Sequence, residues 1–169
     1  MRYAIASDIH GSALWCERLL DAVSREHADK LILLGDLMYH GPRNPLPEGY
    51  DPAHVACQLN EFPLEKIAVR GNCDSEVDQM LLSFPCMDDY VRVIDLDTQL
   101  LCTHGHLNLD SLISNLPKGS VVFSGHTHVK RDESIDGIRY LNPGSVSLPK
   151  DGSHSFMIYE NGETSTIPL

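Results

Sequence analysis

The sequence predicts an α/β fold, with a parallel sheet in the first half and a largely antiparallel second half. In the first half, unbroken apolar runs alternate with segments of helical periodicity, the pattern of βαβαβ crossovers. In the second half, short apolar segments follow one another too closely for helical crossovers. Across both halves, Asp, Asn and His stand where apolar runs stop.

Tyr3 to Ser7 reads as a buried strand ending in the polar loop "DIHGS". Ser12 is placed to cap a helix in which Cys16, Leu19, Leu20 and Val23 share one face. "KLILLGD" is a continuous apolar strand, as expected where both faces of a sheet are covered. Residues 39–52, "YHGPRNPLPEGYDP", hold four of the ten prolines and form a long loop of a type that is often functional. Pro52 suits the first turn of a helix presenting Val55, Leu59 and Phe62. "KIAVRGN" is the third buried strand. "YVRVIDLDTQLLCTHGH" reads as two strands joined by a tight turn centred on Asp97. "SVVFSGHTH", "GIRYLNPGS", "SFMIYE" and "TSTIPL" complete the strands. No linker, repeat or low-complexity segment interrupts the chain, so residues 1–169 are expected to form a single domain.

Charge narrows the function classes. Thirteen Lys and Arg oppose 24 Asp and Glu, a formal net charge of -11. Such a surface repels long nucleic acids and anionic membranes, and an anionic substrate needs a local positive centre. The five cysteines, Cys16, Cys57, Cys73, Cys86 and Cys102, are scattered and form no CxxC. They argue for a reducing compartment, against a disulfide framework and against a structural zinc site. "MRYAIASDIH" reaches a charge too early for a signal peptide, and no run approaches a membrane span. The expected location is cytoplasmic.

The residues at the strand ends form a constellation. Asp8 and His10 follow the first strand, Gly35-Asp36 the second and Gly71-Asn72 the third; Thr103-His104-Gly105-His106 and Gly125-His126-Thr127-His128 follow later ones. In open α/β sheets, ligands bind just beyond the carboxyl ends of strands. Buried Asp, Asn and His cost several kcal/mol unless paired or metal-bound, so their joint occurrence points to a metal centre.

The order DxH, GD, GN[CH][DE], H, GHTH resembles the calcineurin-like metallophosphoesterase superfamily, and more narrowly its small bacterial phosphodiesterases. "GPRNPLPEGY" and "NPGSVSLPK" add to the narrower likeness. The resemblance implies a four-layer α/β/β/α sandwich of two mixed sheets with two divalent metal ions at one edge. Position by position, it implies Asp8, His10 and His128 on the first metal, Asn72, His104 and His126 on the second, and Asp36 bridging. His106 fits either a supporting position behind the ligands or a simple loop histidine.

The implied activity is a metal-dependent phosphodiesterase that hydrolyses small phosphodiesters by in-line attack of a metal-bridging hydroxide. Two metals ~3.5–4 Å apart clamp the attacking and leaving oxygens. Two divalent ions, two aspartates and one hydroxide leave a single formal positive charge, suited to a diester anion. Nitrogen and oxygen donors suit Mn²⁺, the first expectation, and also Zn²⁺, Fe²⁺ or Co²⁺. A phosphomonoesterase is the alternative within enzymes. A protein-interaction scaffold, as in the small retromer subunit, is the alternative outside them. A homo-oligomer is left open.

One residue departs from the commoner motif. Much of the superfamily has histidine where this turn, "RGNCD", has Cys73. A thiol near its free pKa of ~8.5 is a weak donor. Either Cys73 fills a small space beside the site, or it marks an enzyme for esters with good leaving groups, or Asp74 or His40 supplies the proton. Asp36, Asn72, Cys73 and Asp74 are therefore the catalytic candidates. Arg43 and His40, from the proline-rich loop, are the substrate-binding candidates, and Arg43 reads equally well as a surface arginine.

Overall fold

The computed structural model describes residues 1–169. Strands β1 (Arg2–Ala6), β2 (Lys30–Leu33) and β3 (Glu65–Ala68) pair in parallel, linked through α1 (Ala13–Arg25) and α2 (Pro52–Glu61). Ser12 caps α1 by accepting from the Trp15 amide; Asp51 caps α2 ahead of Pro52. Short α3 (Glu76–Leu81) then leads to the hairpin of β4 (Tyr90–Asp95) and β5 (Thr98–Thr103). Leu96 at its tip has φ 54°, the left-handed backbone of a two-residue turn. One turn of helix, α4 (Asp110–Ile113), precedes β6 (Val121–Phe123), β7 (Arg131–Ile135), β8 (Ile138–Asn142), β9 (Ser155–Glu160) and β10 (Glu163–Pro168).

The strands form two five-stranded mixed sheets, ordered β10-β9-β1-β2-β3 and β4-β5-β6-β8-β7. Side chains alternate across both. Tyr3, Ile5, Ile32, Met157 and Tyr159 face inward, against Leu100, Cys102, Val121, Phe123 and Leu141 of the second sheet. Ala4, Ala6, Leu31, Leu33, Phe156 and Ile158 face the opposite way and pack under Trp15, Cys16, Leu19, Val23, Val55 and Leu59 of the helices. The outer face of the second sheet is covered by a smaller cluster of Leu101, Leu116, Val122 and Ile138, with Leu112 and Ile113 of α4 beside it. The layers run α/β/β/α, with the last helical layer reduced to one turn.

Three features depart from the sequence reading. The second half is less antiparallel than expected, because β5–β6 and β6–β8 pair in parallel. The crossovers use α4 and the exposed hairpin strand β7 in place of full helices. Strand β7, "RDESI", is exposed along its whole length, so no apolar alternation announces it. Helix α3 is too short for a periodic signal, although Ser75 and Asp78 form a capping box at its start. No helix is long and apolar enough to cross a membrane.

Candidate metal centre

The carboxyl ends of β1, β2, β3, β5 and β6 meet at one edge of the sandwich. Backbone bonds align the loops that follow: the Asp8 amide donates to Gly35, and His10 to the carbonyl of Asp36. Asp8 (φ 60°), His10 (50°), Asp36 (55°), His126 (68°) and His128 (60°) all adopt left-handed backbone. Elsewhere, non-glycine residues with positive φ are the helix-end His27 and the hairpin-turn residues Leu96, Asp136 and Asn161. At the sheet edge no hairpin demands this conformation; it aims side chains at a common point, and such strain gathers at functional sites.

Three histidines are oriented alike. Nδ1 of His10 bonds the Tyr39 carbonyl at 2.9 Å, Nδ1 of His104 the Leu34 carbonyl at 2.6 Å, and Nδ1 of His128 the Leu148 carbonyl at 2.7 Å. A carbonyl only accepts, so each Nδ1 carries hydrogen and each Nε2 turns inward. The inward nitrogens crowd together: His10 Nε2 lies 3.1 Å from His128 Nε2, and His104 Nε2 lies 3.2 Å from Asn72 Oδ1. Asp8 Oδ1 lies 3.5 Å from His10 Nε2 and 3.3 Å from His128 Nε2. Asp36 Oδ2 lies 3.3 Å from His104 Nε2 and 3.7 Å from His10 Nε2.

The carboxylates divide their oxygens. Asp8 Oδ2 accepts from the His126 amide, and Asp36 Oδ1 from the Cys73 amide. Asp8 Oδ1 and Asp36 Oδ2 are left for the cluster, and the first has no hydrogen-bond partner although fully buried. Acceptors facing acceptors in a buried site need protons or cations between them. Asp8, His10 and His128 place donor atoms within 4.8 Å of one another; so do Asp8, Asp36 and His104, and also His10, Asp36 and Cys73. The donor set therefore fits divalent cations.

Charge coupling agrees. Burial alone would raise Asp8, but His10 and His128 hold it far below the usual carboxylate range. Burial alone would lower His104, but the Asp36 and Asp8 carboxylates lift it to about 9, and His10 rises for the same reason. The two carboxylates favour positive charge on the histidines facing them. His126 and His106 move the other way, lowered by burial and by the His104 charge.

The remaining candidates divide. Cys73 Sγ accepts from Asn72 Nδ2, and burial together with Asp36 pushes its thiol up to about 12. Gly41 of the proline-rich loop leans on it, since a Cβ there would sit 2.8 Å from Sγ. Asp74 is buried and accepts from the amides of Asp36, Leu37 and Gly71. Burial lifts its carboxyl to about 6, against the pull of those amides. Its geometry is that of a clasp between two strand-end loops. His40 does not line the cavity; its ring sits edge-on to Tyr39 and Tyr50. Arg43 does line it. The His106 ring lies behind the cluster, 5.4 Å from that of His104.

Two supports were given no chemical role in the sequence reading. "NPGS" underlies the cluster: Asn142 Nδ2 donates to the Gly125 carbonyl, and Ser145 and Ser147 hydroxyls donate to the Asp8 carbonyl. Lys150, just beyond, lines the cavity mouth. A polar turn in a motif-rich stretch was the available signal for both. Gly71 and Gly125 permit the close approach: Cβ atoms there would fall 2.1 Å from Asp36 Oδ1 and 1.8 Å from Ser7 Oγ.

A two-sheet sandwich with Asp, Asn and His converging at one edge defines the metallophosphoesterase class. The calcineurin-like phosphoesterase superfamily domain matches residues 1–164, and the chain belongs to that family. Phosphodiesterase YfcE of Escherichia coli strain K12 is 47% identical over 170 residues, covering all of this chain and 92% of the relative. A solved structure of Yfce, a phosphoesterase from E. coli, superposes with a TM-score of 0.88 at 43% identity, covering 99% of this chain and 98% of that one. Vps29 from Entamoeba histolytica, at 18% identity and TM-score 0.64 over 100% of this chain and 98% of its own, shares the fold.

Proposed function

We propose that this chain is a metal-dependent phosphodiesterase acting on small phosphodiesters. The observation that carries the reading is the inward turn of three Nε2 atoms and two carboxylate oxygens, each fixed by a backbone bond at its other end. The phosphodiesterase relative at 47% identity supports it. In this reading Asp8, His10 and His128 hold one divalent ion, Asn72, His104 and His126 hold a second, and Asp36 serves both; Mn²⁺ is the first choice.

Such a pair of ions supplies Lewis acidity at the phosphoryl oxygens and lowers the pKa of water toward ~7. The protein supplies the rest. The Nδ1 bonds fix the ring orientations and turn each Nε2 toward the cluster before anything binds. Asp74 and Asn142 hold the ligand loops, and the open cavity admits the ester with both its arms. Cys73 fills the space under the proline-rich loop and stays a neutral thiol.

The test is hydrolysis of bis(p-nitrophenyl) phosphate against p-nitrophenyl phosphate with added Mn²⁺. A centre of low net positive charge favours the monoanionic diester, so kcat/KM is expected to be higher for it. A reversed preference would identify a phosphomonoesterase.

A further inference from the structure

The cavity over the cluster has an exposed rim that carries Arg43 and Lys150. The space is about 850 Å³, within the range that whole organic ligands fill, so it has room for the arms of an ester and not merely for a phosphate group. Lys150 stands on the rim beside the loop of Leu148, whose carbonyl holds His128. Arg43 stands on the loop that leans against Cys73 through Gly41. Both side chains are exposed, and neither makes an ion pair or a hydrogen bond; Arg18, Arg25, Arg92 and Lys118 are also exposed and unpaired, but of all the lysines and arginines Arg43 and Lys150 are the two that line this cavity.

Around this cavity the acidic residues are Asp36 and Asp74, both buried and both already bonded to backbone amides. The rim is thus a local positive zone on a surface that otherwise repels anions. The buried histidines and aspartates form the floor, where the scissile group must lie. The exposed rim faces what extends beyond it.

We propose that Arg43 and Lys150 form an anion subsite on the rim, and that the substrate is a small phosphodiester carrying a second anionic group on one of its arms. The proposal rests on the phosphodiesterase reading and narrows it. Each cation meets the second group in a partly exposed setting, where one charge contact changes kcat/KM by roughly two- to threefold, so the pair together gives roughly five- to tenfold. Such contacts weaken as salt rises.

The experiment compares the p-nitrophenyl ester of thymidine 5′-phosphate with the same ester bearing a 3′-phosphate, in the Mn²⁺-loaded enzyme at low and high salt. The 3′-phosphorylated ester is expected to show a kcat/KM roughly five- to tenfold higher at low salt. The advantage should shrink at high salt, fall in Lys150→Gln and Arg43→Gln, and return in Lys150→Arg. Equal rates for the two esters, or a ratio untouched by both glutamine variants, would overturn the proposal. If neither ester is hydrolysed, the phosphodiesterase reading fails on its own account. Calorimetry then decides the subsite: thymidine 3′,5′-bisphosphate should bind more tightly than thymidine 5′-phosphate in the native protein and not in Lys150→Gln. Equal binding in the native protein would overturn it.

Discussion

Cys73 occupies the turn position where a histidine would be the stronger proton donor. Its surroundings explain a small residue there: the proline-rich loop closes down at Gly41 directly onto Sγ, and a larger ring would push that loop outward. With its thiol pushed up to about 12, Cys73 is a poor acid. General acid catalysis contributes about 10²–10⁴-fold and matters most for poor leaving groups. Rates across a graded series of phenyl diesters should therefore depend steeply on leaving-group pKa. Cys73→Ala should keep most activity on nitrophenyl diesters, and Cys73→His should flatten the slope where the loop accommodates the ring. A large loss in Cys73→Ala would make the thiol a participant, and a shallow native slope would mean that another group already donates the proton.

At the scale of elements, the site depends on loops being locked to one another. Asp74 joins the end of β2 to the end of β3 through amides of Asp36, Leu37 and Gly71. Asp74→Asn replaces one accepting oxygen with an NH₂ group that faces an amide donor. The expected loss is about 1–3 kcal/mol of stability, the cost of leaving a buried polar group unsatisfied, and thermal unfolding would show it as a lowered Tm. An unchanged Tm would remove the clasp role. The central strands were legible in the sequence because both their faces are covered, which yields unbroken apolar runs such as "KLILL". The starts of the two helices were legible through residue chemistry alone, Ser12 as a cap and Pro52 as a first-turn residue, while the Asp51 cap came only with the structure. Strand β7 was not, because its stability comes from pairing with β8 and it buries nothing. The strand-end Asp, Asn and His residues stood out through spacing, but the convergence of Lys150 with Arg43 did not. More than a hundred residues separate them, and only the folded sheets bring both to one cavity.

For the whole molecule, the decisive quantity is how its buried charge is balanced. Without metal, the Asp8 and Asp36 carboxylates raise His10 and His104 against the effect of burial, His104 to about 9. A raised histidine stabilises the fold fully below its unfolded value of ~6.5, and that stability is lost as pH rises toward 9. The Tm of EDTA-treated protein should accordingly fall between pH 6.5 and 9. Metal ligation requires neutral imidazole, so metal should displace protons from these histidines. Calorimetric titration of Mn²⁺ near pH 7 in buffers of different ionisation enthalpy should show proton release; a buffer-independent heat would mean that the histidines are already neutral.

The central claim is that one strand-end cluster holds two ions with Asp36 common to both. Asp36 reaches toward His10 on one side and His104 on the other, so neutralising it should weaken both positions at once. The measurement is elemental analysis of native and Asp36→Asn protein after Mn²⁺ loading and dialysis. Two ions per chain in the native protein and loss of both together in the variant is the predicted result. One ion retained at full occupancy in Asp36→Asn would contradict it.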